Sequence, residues 1–305
     1  MNNIFLQEFS AALQLSRLKG VGAATFRQLL DRYHIPSLAL ASWLAEAVEK
    51  VSDLPQSRQK SATRAMIENA VEKVGSGEFK GLYYSQSGYP SQLHDLGEPP
   101  PILFSSDDIR PVRFAAIVGS RKMAAEAERP TRELVRQLVA EGYSIVSGGA
   151  AGVDAVAHHE ALCLGSYTVA VLATGLDIVY PRTNATLFDN IRQSGVLLSE
   201  MMPGAKPQRS FFPTRNRIIA ALADVVAIVQ AGKSSGALIT AAWASKLGRR
   251  LLVLAPQSGC SELWAGNAKL IEAGAGVYCP GGRAYSVAEP VNELFDAGGE
   301  FFSGL

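Results

Sequence analysis

Between Phe5 and about Val74, apolar residues recur at helical spacing, as in Ala11, Leu15 and Leu18 and then Phe26, Leu29 and Leu30, with few strand-like runs. That periodicity predicts a small helical domain over residues 1–75. Past residue 112 the pattern changes to short, continuous apolar runs at 114–118, 144–147, 168–173, 196–199, 225–229 and 251–255, separated by stretches of helical period. Strands that read as unbroken apolar runs are buried on both faces, so the chain is read as an α/β protein with a doubly wound, mostly parallel Rossmann-like sheet over 113–285. Between the two parts, Gly88-Tyr89-Pro90 and Glu98-Pro99-Pro100-Pro101 forbid helix and favour extended backbone, which makes 76–112 a linker and extended segment. A helix-like piece at 267–273 follows the last run, and 286–305 is a C-terminal tail whose Phe295, Phe301 and Phe302 are candidates for capping the core or a subunit interface.

Composition narrows the function classes. The 305 residues are 48% hydrophobic and 19% charged, and no apolar run reaches the length of a bilayer crossing, so a globular, non-membrane protein is expected. The first twenty residues lack the layout of a secretory signal, from which a cytoplasmic location follows. Cys163, Cys260 and Cys279 have no paired spacing of the kind that zinc or redox chemistry uses, and neither a metal nor a cofactor is assigned. Lys and Arg exceed Asp and Glu by one charge only. Affinity for a polyanion therefore requires a local patch rather than a global field.

Such a patch is expected where a doubly wound sheet binds ligands, outside the carboxyl ends of its strands. The first run ends in Gly119-Ser120-Arg121-Lys122, and the second in Ser147-Gly148-Gly149-Ala150-Ala151-Gly152-Val153-Asp154. The latter is a glycine-rich loop opening a helix, suited to cradling a phosphate with backbone amides. Neither is the dinucleotide fingerprint. Later strand ends add Tyr180-Pro181-Arg182, then Lys206 and Arg209, then Phe211-Phe212-Pro213-Thr214-Arg215-Asn216-Arg217, and finally Gly232-Lys233-Ser234-Ser235-Gly236. Aromatics interleaved with cations can stack bases while holding phosphates, and this many cations suit an extended phosphate backbone, single-stranded nucleic acid above all. Some have a structural alternative: Arg182 to Lys233 include partners for Glu200 and Asp177, Arg217 foremost, and Phe211 and Phe212 can equally pack in a core. Asp154 and His158 stand four apart on one helix, either as a general-base pair or as a cap beside a satisfied helix histidine. In the helical domain, Leu18-Lys19-Gly20-Val21-Gly22 resembles a helix-hairpin-helix turn, which either offers amides to a phosphate or merely turns tightly.

These motifs, in this order, resemble the DNA-processing protein A (DprA, also called Smf) family over about residues 89–275. The resemblance rests on Gly119-Ser120-Arg121, the 147–154 loop with Ala157-His158, Tyr180-Pro181, Ser199-Glu200, Phe212-Pro213 with Arg215-Asn216-Arg217-Ile218-Ile219, Ser235-Gly236 with Leu238-Ile239-Thr240-Ala241, and Gly266-Asn267 with Leu270-Ile271. It implies a non-catalytic homodimer that binds single-stranded DNA in a basic pocket at the sheet's rim and loads RecA recombinase onto it, in natural transformation and DNA recombination. By the same resemblance Arg121 is the DNA-contacting arginine, Arg215, Arg217 and Lys233 are the basic residues beside it, and the N-terminal domain is sterile-alpha-motif-like. Gln230, Ala237 and Gln257 depart from the family's usual Glu, Ser and Gly, which alters the polar network of the pocket. The chain also ends without the winged-helix domain of longer members, so duplex contacts through it are not implied.

The expected DNA-binding set is thus Gly119, Ser120, Arg121, Lys122, Gly148, Gly149, Arg182, Lys206, Arg209, Phe212, Arg215, Asn216, Arg217 and Lys233, with no catalytic residue. The competing reading is a sensor of nucleotide-derived small molecules or a nucleoside hydrolase on a related fold, drawing on Asp154, His158 and Glu200.

Overall fold

In the computed structural model the described residues are 3–18, 20–42, 64–256 and 261–280. Lys19, Cys260, Gln257 and the tail with Phe295, Phe301 and Phe302 lie outside them. The six apolar runs become parallel strands: β3 (Phe114–Val118), β4 (Ser144–Ser147), β5 (Thr168–Leu172), β6 (Val196–Ser199), β7 (Val225–Ile228) and β8 (Arg250–Leu254). Three shorter strands join them, β1 (Lys80–Tyr83), β2 (Ile102–Ser105) and β9 (Gly276–Tyr278). The nine-stranded sheet runs β1-β2-β6-β5-β4-β3-β7-β8-β9. All pairs from β6 to β9 are parallel, and β1 and β2 are antiparallel additions at one edge.

The stretch read as a linker therefore supplies the edge of the sheet. Its strands are four residues each, too short for periodicity to distinguish from extended backbone. Register fixes them: Phe104 pairs with Ser199 and Leu82 with Leu103.

Alternation along the central strands divides the core into two faces. On one face Phe114, Ala116 and Val118 of β3, Val169 and Val171 of β5, and Val226 and Ile228 of β7 meet the helices Phe211–Leu222 and Ala237–Lys246. On the other, Ala115, Ile117 and Ala227 meet the helices Ala125–Ala140 and Val153–Cys163. Beside that second layer, the N-terminal helices Asn3–Arg17, Ala23–Tyr33 and Arg64–Gly75 share a core with Phe104, Leu172, Phe188 and Leu197. The Phe9 and Phe104 rings meet edge to face at 5.9 Å, and the Phe9 ring fills the space that any side chain at Gly81 would need. Each such ring contributes about 1.5–3 kcal/mol by its burial, so the helical module is joined to the sheet by packing as well as by chain connectivity.

Strand order reverses at β3, with β4 on one side and β7 on the other. That is the point where a doubly wound sheet opens a crevice beyond its carboxyl ends.

A candidate nucleic-acid cleft at the strand ends

A cleft of about 1060 Å³ occupies that crevice. Its base is the turn after β3. The Ser120 amide donates to the Gln230 carbonyl at 2.8 Å, the Ser120 hydroxyl donates to the Lys122 carbonyl at 2.9 Å and accepts from the Lys122 amide at 3.1 Å, and the Ala124 amide donates to Gln230 Oε1 at 2.9 Å. From the neighbouring helix, the Val153 amide donates to the Ser120 carbonyl at 3.2 Å. Gly152 makes this approach possible: its φ is +78°, and a Cβ there would collide with the Ser120 oxygen. The turn is thus fixed by backbone bonds together with the Ser120 and Gln230 side chains, and Arg121 and Lys122 project from it as exposed cations.

Around this turn stand Arg209 and Lys233, also exposed, and a hydrophobic wall of Phe212, Ile239, Leu263 and Tyr180. The Arg121 guanidinium lies 4.4 Å from the centroid of the Phe212 ring, and Tyr180 packs against the same ring at 5.8 Å between centroids. Phe212 is therefore a half-buried platform carrying a cation rather than a core residue. Among the described residues none of Arg121, Lys122, Arg209 and Lys233 pairs with a carboxylate within 4.0 Å. Glu262 is the exposed acid of the lining, with its backbone beside Gly232.

Beneath the cleft the chemistry is structural. Arg215 is buried, and its Nη1 donates to the carbonyls of Gly148 and Val171 while Nε donates to Asn216 Oδ1 at 3.1 Å. A Cβ at Gly148 would stand 2.5–2.6 Å from the Arg215 guanidinium, so glycine is required there to admit the arginine. Asn216 is buried as well and donates to the Gly236 carbonyl at 3.0 Å, tying the two helix starts together. Burial lowers the Arg215 pKa to about 10, with Asp154 opposing and Arg121 reinforcing the shift, and the group remains cationic at neutral pH.

Asp154 turns back into the glycine loop. Its carboxylate accepts from the Ala150 amide at 3.3 Å and from the Gly148 amide, and burial raises its pKa against the pull of Arg215. Gly149 is buried with φ +64° and packs on Phe188 and Leu172. The loop expected to cradle a phosphate instead directs these amides to its own aspartate, so Gly148 and Gly149 leave the ligand-contacting set.

His158 does not pair with Asp154. Its Nδ1 bonds Thr168 Oγ1 at 2.8 Å, and that hydroxyl donates onward to the Ile145 carbonyl at 2.9 Å. The imidazole is fully buried, its pKa lowered to about 3 by burial first and by Arg215 second. A general-base pair is thereby replaced by a neutral core histidine. Arg217 likewise leaves the cleft: Nη2 donates to both carboxylate oxygens of Glu200 at 2.7 Å, and both side chains are largely buried. Arg182 and Lys206 are not among the residues that line the cleft.

The structure thus gathers Gly119, Ser120, Arg121, Lys122, Arg209, Phe212 and Lys233 around one opening, with Arg215 and Asn216 as its floor. Sequence reasoning left out Leu263 and Glu262, which reach the rim from a 3-10 turn without any motif to mark it. Among the described residues no group of three or more His, Cys, Asp or Glu side chains is placed to hold a metal ion, and no helix is long and apolar enough to cross a membrane.

Residues 80–286 match the model of the DNA recombination-mediator protein A family. Protein Smf of a Synechocystis strain is 34% identical over 284 residues, covering 85% of this chain and 69% of that protein. Across curated relatives of this kind the chain spans between 45% and 69% of their length. Among solved structures, DNA processing protein A from Streptococcus pneumoniae superposes with a TM-score of 0.66 at 26% identity, over 91% of this chain and 95% of that one. The protein of the same name from Helicobacter pylori, solved for its single-stranded DNA binding mode, gives a TM-score of 0.59 at 33% identity, over 66% of this chain and 92% of that one.

Proposed function

Because this chain belongs to the DNA recombination-mediator protein A family, we propose that its strand-end cleft binds single-stranded DNA and that the bound strand is passed to RecA recombinase by a homodimer of this chain. The observation that carries the reading is the juxtaposition of Arg121, Lys122, Arg209 and Lys233, unpaired with any described carboxylate, around the Phe212 face. A single strand offers what this arrangement lacks: a row of phosphates for the cations and unstacked bases for the ring. The Helicobacter pylori relative, solved for its single-stranded DNA binding mode, supports a single strand as the ligand. The function proposed is capture without covalent chemistry, since Asp154, His158 and Glu200 have the intramolecular partners described above. Those partners also weigh against nucleoside hydrolysis.

Anisotropy of a fluorescent oligo-dT strand tests the site. With four cations engaged, log K should fall against log salt with a slope of roughly −3, at about 0.7 for each phosphate contact on a single strand. Arg121→Ala with Lys233→Ala should flatten that slope and weaken binding. Wild-type protein that ignores the strand at low salt, or a double variant that binds unchanged, would refute the assignment. Loading is read separately, as RecA filament formation on strand already covered by a single-strand-binding protein, and dimerisation by light scattering at micromolar concentration.

A further inference from the structure

We infer that Gln230 is a positioning residue of the cleft, whose buried amide holds the 120–124 turn in the shape that aims Arg121 and Lys122 at the ligand. The inference rests on the strand-binding reading above. Gln230 follows β7 and has no exposed surface. It grips the turn at both ends: its backbone carbonyl takes the Ser120 amide at 2.8 Å and its side-chain oxygen takes the Ala124 amide at 2.9 Å. The two cations of the turn lie between those points. The entry bond is made by the Gln230 backbone and the exit bond by its side chain, so only the second depends on the identity of residue 230.

The orientation of the amide follows from its partner. The Ala124 N–H needs an acceptor, so Oε1 faces it, and Nε2 is left buried with no hydrogen-bond partner. A buried donor without a partner destabilises the fold; an apolar residue of the same volume would remove that donor but would leave the Ala124 amide without its acceptor instead. Of the two ends of this amide only the oxygen has a partner, so whatever the side chain does for the turn it does through Oε1. Rigid placement of binding groups raises affinity because less conformational freedom is lost on association, and both cations of this turn profit from the same two bonds.

Three variants and two readouts decide it. Gln230→Met keeps the volume, removes the orphan donor and removes the acceptor; Gln230→Glu keeps an acceptor for Ala124; Arg121→Ala reports on the cleft itself. Hydrogen exchange of the Lys122 and Ala124 amides follows the turn without DNA, and oligo-dT anisotropy across a salt series follows binding. In Gln230→Met, which exchanges one unpaired donor for another, we expect faster exchange at these amides, a melting temperature close to that of the wild type, affinity reduced about tenfold and a salt slope flatter by about 0.7 for each phosphate that the displaced cations release. Gln230→Glu should restore slow exchange and recover most of the affinity. Wild-type exchange and wild-type affinity in Gln230→Met, beside an Arg121→Ala that binds poorly, would overturn the inference and leave the cleft assignment standing. An Arg121→Ala that binds like wild type would instead overturn the assignment, and the inference with it. Should Gln230→Met fail to fold, Ala124→Pro cuts the same bond from the other end, because the φ of −70° at Ala124 suits proline. That variant is expected to lose affinity similarly, and wild-type affinity in it would count against the role.

Discussion

Removing one positive charge from the floor of the cleft and one from its rim should have opposite consequences, although the formal charge change is identical. Arg215→Met acts on the floor. It withdraws a donor from the buried carbonyls of Gly148 and Val171 and from Asn216 Oδ1, and leaves the buried Asp154 carboxylate without its nearest compensating charge. Orphaned buried acceptors cost about 1–3 kcal/mol each, and loss of one partner from a buried charged network costs about 3–5 kcal/mol. For a protein of 305 residues, where an unfolding entropy of about 2.1 cal/mol/K per residue makes 1 kcal/mol worth about 1.6 °C, the deficit is roughly 5–8 °C. Lys233→Met acts on the rim, where the side chain is exposed and touches no carboxylate of the described residues. Surface substitutions of that kind stay within about 0.5 kcal/mol, hence within about 1 °C.

The DNA readout reverses the order. Lys233→Met should lower the salt slope by about 0.7, the value of one phosphate contact on a single strand. Arg215→Met, assayed well below its melting temperature, should keep the wild-type slope. The pH dependence carries a further signature. Burial already places the folded-state pKa of Asp154 above its unfolded value, so its favourable contribution is full at low pH and is lost as pH rises through the folded pKa. Without Arg215 that pKa rises further, and the stability deficit of Arg215→Met should grow from acid to neutral pH. Differential scanning calorimetry at several pH values, with anisotropy on the same preparations, measures all of this. A variant Arg215→Met that melts with the wild type and has a salt slope flatter by about 0.7 would show the arginine to be a ligand contact and refute the division into floor and rim.

Two further outcomes follow from the same geometry. His158 is held neutral with a pKa of about 3 against an unfolded value of about 6.5, so its contribution is present above pH 6.5 and is lost as pH falls towards 3, at up to about 1.4 kcal/mol per pH unit; His158→Gln should flatten the acid limb of a urea-unfolding profile between about pH 6 and 4, and an unchanged limb would place the titration elsewhere. Phe212→Ala removes the face beneath Arg121 and should weaken oligo-dT binding by about 1–3 kcal/mol per stacked base while leaving the salt slope near wild type; a changed slope with unchanged low-salt affinity would mean the ring only supports the cation.

The central sheet was legible because its strands are buried on both faces. The runs at 114–118, 144–147 and 196–199 coincide with β3, β4 and β6, since a strand covered by helices on two sides lacks the alternating exposed polar positions that blur its limits, and the serines ending β4 and β6 are themselves buried. The edge strands were not legible for the converse reason. β1 and β2 pair antiparallel at the margin, and β2 lies next to a run of prolines that reads as linker. The rim cations Arg121, Lys122, Arg209 and Lys233 were found because topology alone brings post-strand loops together. Leu263 and Glu262 were not, because they arrive from a turn after β8 whose sequence carries no turn or strand signal of its own.

What composition and spacing could not separate was charge that meets a ligand from charge that holds the fold, and glycine that admits a phosphate from glycine that admits a side chain. Arg215 and Arg217 sit two residues apart at the start of one helix, and Arg215 faces inward over Gly148 while Arg217 turns to Glu200. Both became buried because acceptors were waiting for them: two backbone carbonyls at strand ends in one case, a carboxylate after β6 in the other. Gly148 follows from Arg215 rather than from any anion, since the guanidinium lies where a side chain at 148 would have to be. The amides of that loop in turn follow from Asp154, which occupies the place of the phosphate that the sequence suggests. A glycine-rich turn at a helix start is therefore an anion site whose anion can be internal. In this chain the internal carboxylate fills it, and the open electropositive positions are displaced to the next turn over, where Gln230 holds Ser120 and Ala124 and leaves Arg121 and Lys122 facing solvent.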